Sequence, residues 1–185
     1  MKQKYFHLLF MMLALCSSIS VHAYDFEVDG IYYNILPQKE NEVEVTRKGF
    51  GYTYEGDVNI PKEVLYNGTT YKVTAIGISA FNNCSKLTGQ LILNEGITSI
   101  GDGAFTDCVN LEGLVLPRTM ISIGKRSFSG CKGMTGELIL PDSLESIGEY
   151  AFHFCQNFKG SLILPKSLKT IGQCAFDVCG FDGDL

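Results

Sequence analysis

The sequence predicts a repeat solenoid built mainly from short β-strands, and three columns of residues support this prediction. Ile-Gly pairs recur at spacings of 24, 23, 24 and 24 residues, with a phenylalanine and a cysteine in step behind each pair. The columns are Ile76, Ile100, Ile123, Ile147 and Ile171; Phe81, Phe105, Phe128, Phe152 and Phe176; and Cys84, Cys108, Cys131, Cys155 and Cys179. A coil of this length cannot bury its own apolar side chains, so stacking on its neighbours must complete the core.

One unit of the repeat shows how a coil is expected to fold. Leu138-Ile139-Leu140 alternates with period 2, which predicts a short strand with both leucines inward and the isoleucine outward. Pro141 ends that strand, because proline cannot donate to a ladder. Ile147-Gly148 is interpreted as a bend, and the stretch from Phe152 to Cys155 as a short helical turn.

The register of Leu-Pro, Ile-Gly, Ala-Phe and Cys-x-x-Leu motifs over residues 58–185 resembles the BspA-type leucine-rich repeat of bacterial surface proteins. The resemblance implies a right-handed coil with short parallel strands, and a role in adhesion to, or recognition of, host or bacterial proteins. The departures from the pattern are Asn94 in place of the proline, Ser127 in place of the alanine, and Met134 and Phe158 in place of the leucine.

Residues 24–70 are predicted to form a β-rich N-terminal cap, ahead of the repeats proper at 71–185. Asp29-Gly30 and Asn67-Gly68 each interrupt an alternating apolar pattern. Both dipeptides accept the positive φ of a type I′ turn, so each predicts a β-hairpin. Between them, Val58-Asn59-Ile60-Pro61 matches the strand motif and indicates a degenerate first coil. The apolar end of a solenoid needs such a cover.

Residues 1–23 are predicted to be a secretory signal peptide, so the protein is expected to be secreted or held at the cell surface. Lys2 and Lys4 precede a nine-residue apolar run, and a small residue, Ala23, stands at the expected cleavage point. The run is too short to span a bilayer. Acylation of Cys16 is the alternative, although Leu15 occupies the place where a lipoprotein signal has a small residue.

Composition and charge exclude several classes of function. The formal charge of −5 argues against a nucleic-acid partner. His153 is the one histidine after residue 23, and no hydrolase motif surrounds it. Asp182-Gly183-Asp184 offers too few oxygen ligands for a hard cation. We therefore expect a protein without catalytic residues, metal or cofactor.

The cysteine column is predicted to be a line of buried thiols. Zinc ligands converge on one point, whereas these cysteines recur once per coil. Stacked side chains about 4.8 Å apart are also too distant for the usual Cβ–Cβ separation of a disulfide, about 3.8 Å. Cys174 lies outside the column, among positions whose residue types suggest exposure. It is either a thiol for an intermolecular disulfide or an incidental, partly covered cysteine.

The best candidate for a binding surface is the outward column of the predicted strands. This column, here called the apolar stripe, consists of Ile92, Val115, Ile139 and Ile163. An exposed apolar line on a solenoid is typical of a protein-binding surface, here for a protein ligand that the sequence does not identify. The alternative is that β-branched residues occur here only because they favour strands. A second column, Glu95, Arg118, Asp142 and Lys166, alternates in sign and is expected to fix the register of stacking.

The sequence stops at Leu185, where the next strand would begin. We expect the final coil to lack a cap, which leaves end-to-end self-association as one possibility. The chain would then be a structural stalk or assembly unit, or a fragment of a longer surface protein, with no ligand of its own.

Overall fold

The predicted solenoid is confirmed by the structure, a computed structural model that describes residues 24–49, 51 and 53–183. The chain winds into a β-solenoid of about four turns with an antiparallel hairpin region at its N-terminal side. The predicted signal peptide lies outside the described residues.

Five strands form the N-terminal region: β1 (Phe26–Val28), β2 (Ile31–Ile35), β3 (Glu42–Thr46), β4 (Glu63–Tyr66) and β5 (Thr69–Ile76). Both predicted hairpins are present, with β1 antiparallel to β2 and β4 antiparallel to β5. All four turn residues have positive φ, between 49° and 79°, as a type I′ turn requires. Strand β3 pairs in parallel with β5 and so joins this region to the solenoid.

The longest run of strand pairing passes through the isoleucine of each Ile-Gly pair, a position for which the sequence predicts a bend. After β5, the sheet continues in parallel order through β7 (Ser99–Ile100), β9 (Ser122–Ile123), β10 (Ser146–Ile147) and β11 (Thr170–Ile171). The isoleucine is therefore a strand residue, and the chain turns at the glycine after it.

That glycine is required by the closeness of neighbouring coils. A Cβ atom built on Gly148 would lie 2.5 Å from the backbone nitrogen of Lys125, and one on Gly172 would lie 2.2 Å from that of Glu149. Any larger residue would push the coils apart. The Ile-Gly repeat is thus the sequence signature of direct backbone contact between coils.

The Leu-x-Leu segments pair less extensively than expected. Strands β6 (Gln90–Ile92) and β8 (Gly113–Val115) form a two-stranded parallel sheet. The equivalent segments 137–140 and 161–164 make no backbone hydrogen bonds to described residues. The predicted orientation is correct, since Leu138 and Leu140 are buried while Ile139 is exposed. The predicted strand at 138–140 is wrong, because alternation reports which side chains are buried and does not guarantee a partner strand.

The predicted helical turn from Phe152 to Cys155 is also wrong, and the described residues contain no helix. The N–H of Ala151 donates within its own coil to a carbonyl three residues earlier, at 3.3 Å, but the N–H of Phe152 donates to the carbonyl of Ala175 in the next coil, at 2.7 Å. Tyr150 has a left-handed φ of 55°. Every second N–H group in this stretch donates to a carbonyl of the next coil, so the stretch cannot make the continuous hydrogen bonds of a helix.

The phenylalanine column is a continuous stack through the core. Phe81, Phe105, Phe128 and Phe152 are fully buried. Ring centroids of successive members, through Phe176, lie 4.9–5.4 Å apart with planes within 9° of parallel. The stack is therefore the apolar centre that each coil shares with its neighbours.

The thiols of the cysteine column hydrogen-bond across coils, which the sequence did not predict. In four of the five cysteines, the Sγ donates to the carbonyl of the phenylalanine in the preceding coil, at 3.0–3.1 Å. The pairs are Cys108 to Phe81, Cys131 to Phe105, Cys155 to Phe128 and Cys179 to Phe152. The Sγ of the first, Cys84, instead accepts from the N–H of Tyr54, at 3.3 Å. All cysteines in the described residues are free. The column therefore ties the backbone of each coil to the coil before it.

Burial also suppresses ionisation of these thiols. It raises the pKa of Cys131 well above the ordinary thiol value, and the neighbouring thiols Cys155 and Cys108 raise it further. Burial likewise raises the pKa of Cys108 and Cys155, and that of Cys179 to about 11. The thiols remain protonated at neutral pH and can keep donating these hydrogen bonds.

Hydroxyl groups and ion pairs also link neighbouring coils. The ion pairs do not lie in the column of alternating charges that the sequence predicted. Thr119, Ser143 and Ser167 each donate to a carbonyl of the preceding coil, at 2.6–2.9 Å. Ion pairs join Lys125 to Glu149 and Lys169 to Glu145. Among the described residues, no ion pair joins two members of the predicted alternating column. The carboxylate of Glu95 accepts from the backbone N–H of Arg118 instead.

Replacement of a central ring tests the stack. We expect Phe128→Ala to lower the free energy of unfolding by about 3–5 kcal/mol, because it removes a fully buried ring between two stacked neighbours. Urea denaturation measures the loss. Leu65→Ala is the control, since that side chain is 65% exposed. An unchanged midpoint for Phe128→Ala would contradict this account of the core.

The buried thiols predict a loss of stability in base. In the unfolded chain a cysteine ionises near pH 8.5. Above that pH, unfolding releases thiol protons that the folded state retains, so stability falls as pH rises; the contribution of Cys179 is lost up to about pH 11. In urea titrations from pH 8 to 10, Cys131→Ala should reduce the slope of stability against pH by an amount that grows as the unfolded thiol ionises and approaches about 1.4 kcal/mol per unit above about pH 9.5. Identical slopes for both proteins would rule out a raised pKa at Cys131.

Candidate binding surface

The structure places all four residues of the apolar stripe on the surface. Their exposed fractions are 52% for Ile92, 41% for Val115, 73% for Ile139 and 75% for Ile163. Ile92 and Val115 are register partners in the β6–β8 ladder, and the other two occupy the same place in the following coils. The leucines on either side point inward in the first three of these coils, so the stripe is a ridge of apolar side chains along one face.

Two shallow grooves separate the later members of the stripe. One, of about 610 Å³, lies between the coils of Val115 and Ile139, and the other, of about 580 Å³, lies between those of Ile139 and Ile163. They occur where segments 137–140 and 161–164 make no hydrogen bonds to neighbouring coils. Arg118, Asp142 and Lys166 stand at their rims. An apolar centre with charges of both signs around it matches the anatomy of protein interfaces.

Cys174 is half-exposed and free. It has a left-handed φ of 54°, as Arg126 and Tyr150 have at the same position of earlier coils. That position follows the Ile-Gly pair by two residues, away from the buried thiol column. The structure therefore separates Cys174 from the cysteines that bind coils together.

The remaining polar candidates have structural partners. The Nε2 atom of His153 lies 3.3 Å from the carboxylate of Asp177 in the next coil. Asp182 accepts a hydrogen bond from the N–H of Gly160, which together with the charge of Lys159 lowers its pKa. Within the described residues, no group of three potential metal ligands converges. The described part of the chain also includes no helix of the length and apolarity that crossing a membrane requires.

One surface feature was not identified from the sequence. A groove of about 920 Å³ lies between the β1–β2 turn, residues 53–61 and strand β4. The available signal was charge, since residues 24–70 contain nine acidic and four basic residues. The charge of the groove depends on which of those acidic residues line it.

Comparison with solved structures places the fold among bacterial leucine-rich repeat proteins. A leucine-rich repeat protein from Bacteroides ovatus is 34% identical, with a TM-score of 0.74. A leucine-rich cell surface protein from Faecalibacterium prausnitzii is 23% identical, with a TM-score of 0.65, and the pneumococcal vaccine antigen PcpA is 21% identical, with a TM-score of 0.57. The matches cover 88%, 83% and 86% of this chain but 41%, 46% and 49% of those chains. The chain thus spans less than half the length of these proteins.

Comparison with curated proteins gives no match. A family model for the BspA type leucine rich repeat region matches residues 67–182 in six copies. Proteins built from such repeats are usually non-catalytic binding modules. The repeat columns, the coil geometry and this match agree, and the chain belongs to the BspA-type leucine-rich repeat family.

Proposed function

We propose that this protein is an exported, non-enzymatic binding module that takes part in cell-surface adhesion or recognition by engaging a host or bacterial protein through the apolar stripe. The observation behind the proposal is the exposure of four β-branched side chains in register on one face, two of them more than 70% exposed. Water-exposed apolar ridges of this kind gain free energy when a partner covers them.

Four further features support this role. The family is composed of surface repeat proteins that usually bind rather than catalyse. Structural neighbours include a cell surface protein and a vaccine antigen. The predicted signal peptide would export the chain. The stacked core also makes the stripe rigid, which reduces the entropy lost on binding.

Charge substitution on the stripe tests the proposal. We expect Ile139→Lys to leave the fold intact, because the side chain is 73% exposed, and to weaken binding at least tenfold to any ligand found among immobilised extracellular matrix proteins or gut bacterial cells. Ile78→Lys is the matched control, since Ile78 is 71% exposed and lies outside the stripe. Equal loss of binding in both variants, or unfolding of the first, would contradict a specific role for the stripe.

A structural stalk or assembly unit is the second candidate. Its support is strand β11, where Ile171 is 45% exposed and β10 is the partner strand among the described residues. Unpaired strand edges favour further pairing. In this arrangement two copies would meet at that edge, and a disulfide through Cys174 would seal the contact.

Light scattering distinguishes the two candidates. A stalk unit should show a mass that increases with concentration, and reduction should dissociate any dimer joined through Cys174. Cys174→Ser should remove the reducible species without changing non-covalent association. A constant monomer mass in both proteins would exclude self-association and leave the binding module.

A further inference from the structure

We propose that the groove between the β1–β2 turn and strand β4 binds an extended, positively charged segment of a partner protein, which adds as a strand to the open edge of β4. This site is separate from the apolar stripe, and neither proposal depends on the other.

The open edge follows from the register of the β4–β5 hairpin. Tyr66 and Thr69 flank its two-residue turn and share hydrogen bonds. The alternation of an antiparallel pair then directs the N–H and C=O of Leu65 away from β5. No described residue outside the hairpin accepts or donates to these groups. Leu65 lines the groove, as does Glu63 two residues earlier. The same alternation directs the backbone groups of Glu63 away from β5, so two pairs of backbone groups are available to an added strand.

The groove has the dimensions and lining of a binding site. Its volume of about 920 Å³ is at the upper end of the range of about 300–1,000 Å³ typical of ligand sites. Val64 and Tyr54 are buried in its wall, while Leu65 is 65% exposed beside it. These apolar groups can contact one face of an extended segment, whose side chains alternate between two faces.

Charge decides which segment fits. Asp29, Asp57 and Glu63 line the groove, are exposed, and form no ion pair with any described residue. A fourth carboxylate, that of Glu55, is paired with Lys86 at 2.6 Å. The groove thus presents three uncompensated negative charges around its apolar wall, and lysine or arginine side chains complement them.

The hydroxyl of a largely buried tyrosine independently indicates a ligand. Tyr33 is 1% exposed and lines the groove, and its hydroxyl has no hydrogen-bond partner among the described residues. No fully buried side-chain oxygen or nitrogen of the described residues lacks a partner, so this hydroxyl opens into the groove. Burial raises the pKa of Tyr33 to about 12, and the nearby Asp29 carboxylate contributes to the rise. The hydroxyl is therefore protonated at neutral pH. It can donate to a backbone carbonyl of a segment lying in the groove, which would satisfy a polar group that the fold leaves without a protein partner.

Labelled peptides test the proposal on the full chain. The probe is a capped Lys-Val-Lys-Val-Lys-Val peptide, whose lysines share one face when it is extended. By fluorescence anisotropy we expect it to bind at least tenfold more tightly than the corresponding Glu-Val peptide, and to weaken as salt is added. N-methylation of its alternate backbone amides should abolish binding. Equal binding of the basic and acidic peptides, or full binding after N-methylation, would overturn the proposal.

Conservative variants locate the site. The double variant Asp29→Asn, Glu63→Gln should weaken binding of the basic peptide about three- to tenfold, since asparagine tolerates the positive φ of the turn. The matched control is Glu112→Gln, Asp142→Asn, in which two exposed carboxylates outside the groove are neutralised. Equal affinity of the two double variants would place binding elsewhere and contradict the proposal.

Two single variants complete the design. Tyr33→Phe should weaken the basic peptide about two- to tenfold without lowering the thermal midpoint, because the hydroxyl it removes has no partner in the described structure. Unchanged affinity would show that the hydroxyl does not contact the segment and would contradict its assigned role. Ile139→Lys should bind the peptide normally; a loss there would show that the peptide occupies the stripe instead of the groove.

Discussion

The close approach of successive backbones at the Ile-Gly pair is the constraint on which the rest of the structure depends. A Cβ atom at Gly172 would lie 2.2 Å from the backbone of the preceding coil, and one at Gly124 would lie 2.7 Å from it. This spacing allows the parallel strands to pair through β11 and brings the phenylalanine rings to 4.9–5.4 Å. Hydrogen bonding and apolar burial therefore require the same separation between coils.

Side-chain hydrogen bonds link each coil to both of its neighbours. Four thiols of the cysteine column donate to the preceding coil, and so do the hydroxyls of Thr119, Ser143 and Ser167. The hydroxyl of Thr106 donates in the opposite direction, to the carbonyl of Arg126 in the following coil. Burial raises the pKa of the thiols and so keeps these donors protonated. The column is a structural device and contributes nothing to the surface available for recognition.

Neighbouring coils bury one another's apolar side chains and share their hydrogen bonds. A partner can therefore contact only the side chains and strand edges that face outward. The apolar stripe and the groove between the β1–β2 turn and strand β4 offer different chemistry. The stripe is a ridge of β-branched side chains with charges of both signs beside it, and the groove is an acidic channel along an open strand edge. A partner could occupy either without disturbing the core. The rigidity of the stacked coils fixes the distance between the two surfaces and thus the geometry of any partner that contacts both.

The sequence by itself determined the solenoid, the two hairpins and the orientation of Leu138, Ile139 and Leu140, because each depends on a local period or on a turn residue that few conformations accept. Only the tertiary structure decided which segments pair, since pairing requires neighbouring coils to approach: the isoleucine before Gly148 became a strand residue, while segment 137–140 did not. The thiol hydrogen bonds likewise depend on atoms from different coils, and the groove between the β1–β2 turn and strand β4 depends on atoms from different strands. Spacing along one chain shows which side chains are buried, but it does not specify which distant atoms meet.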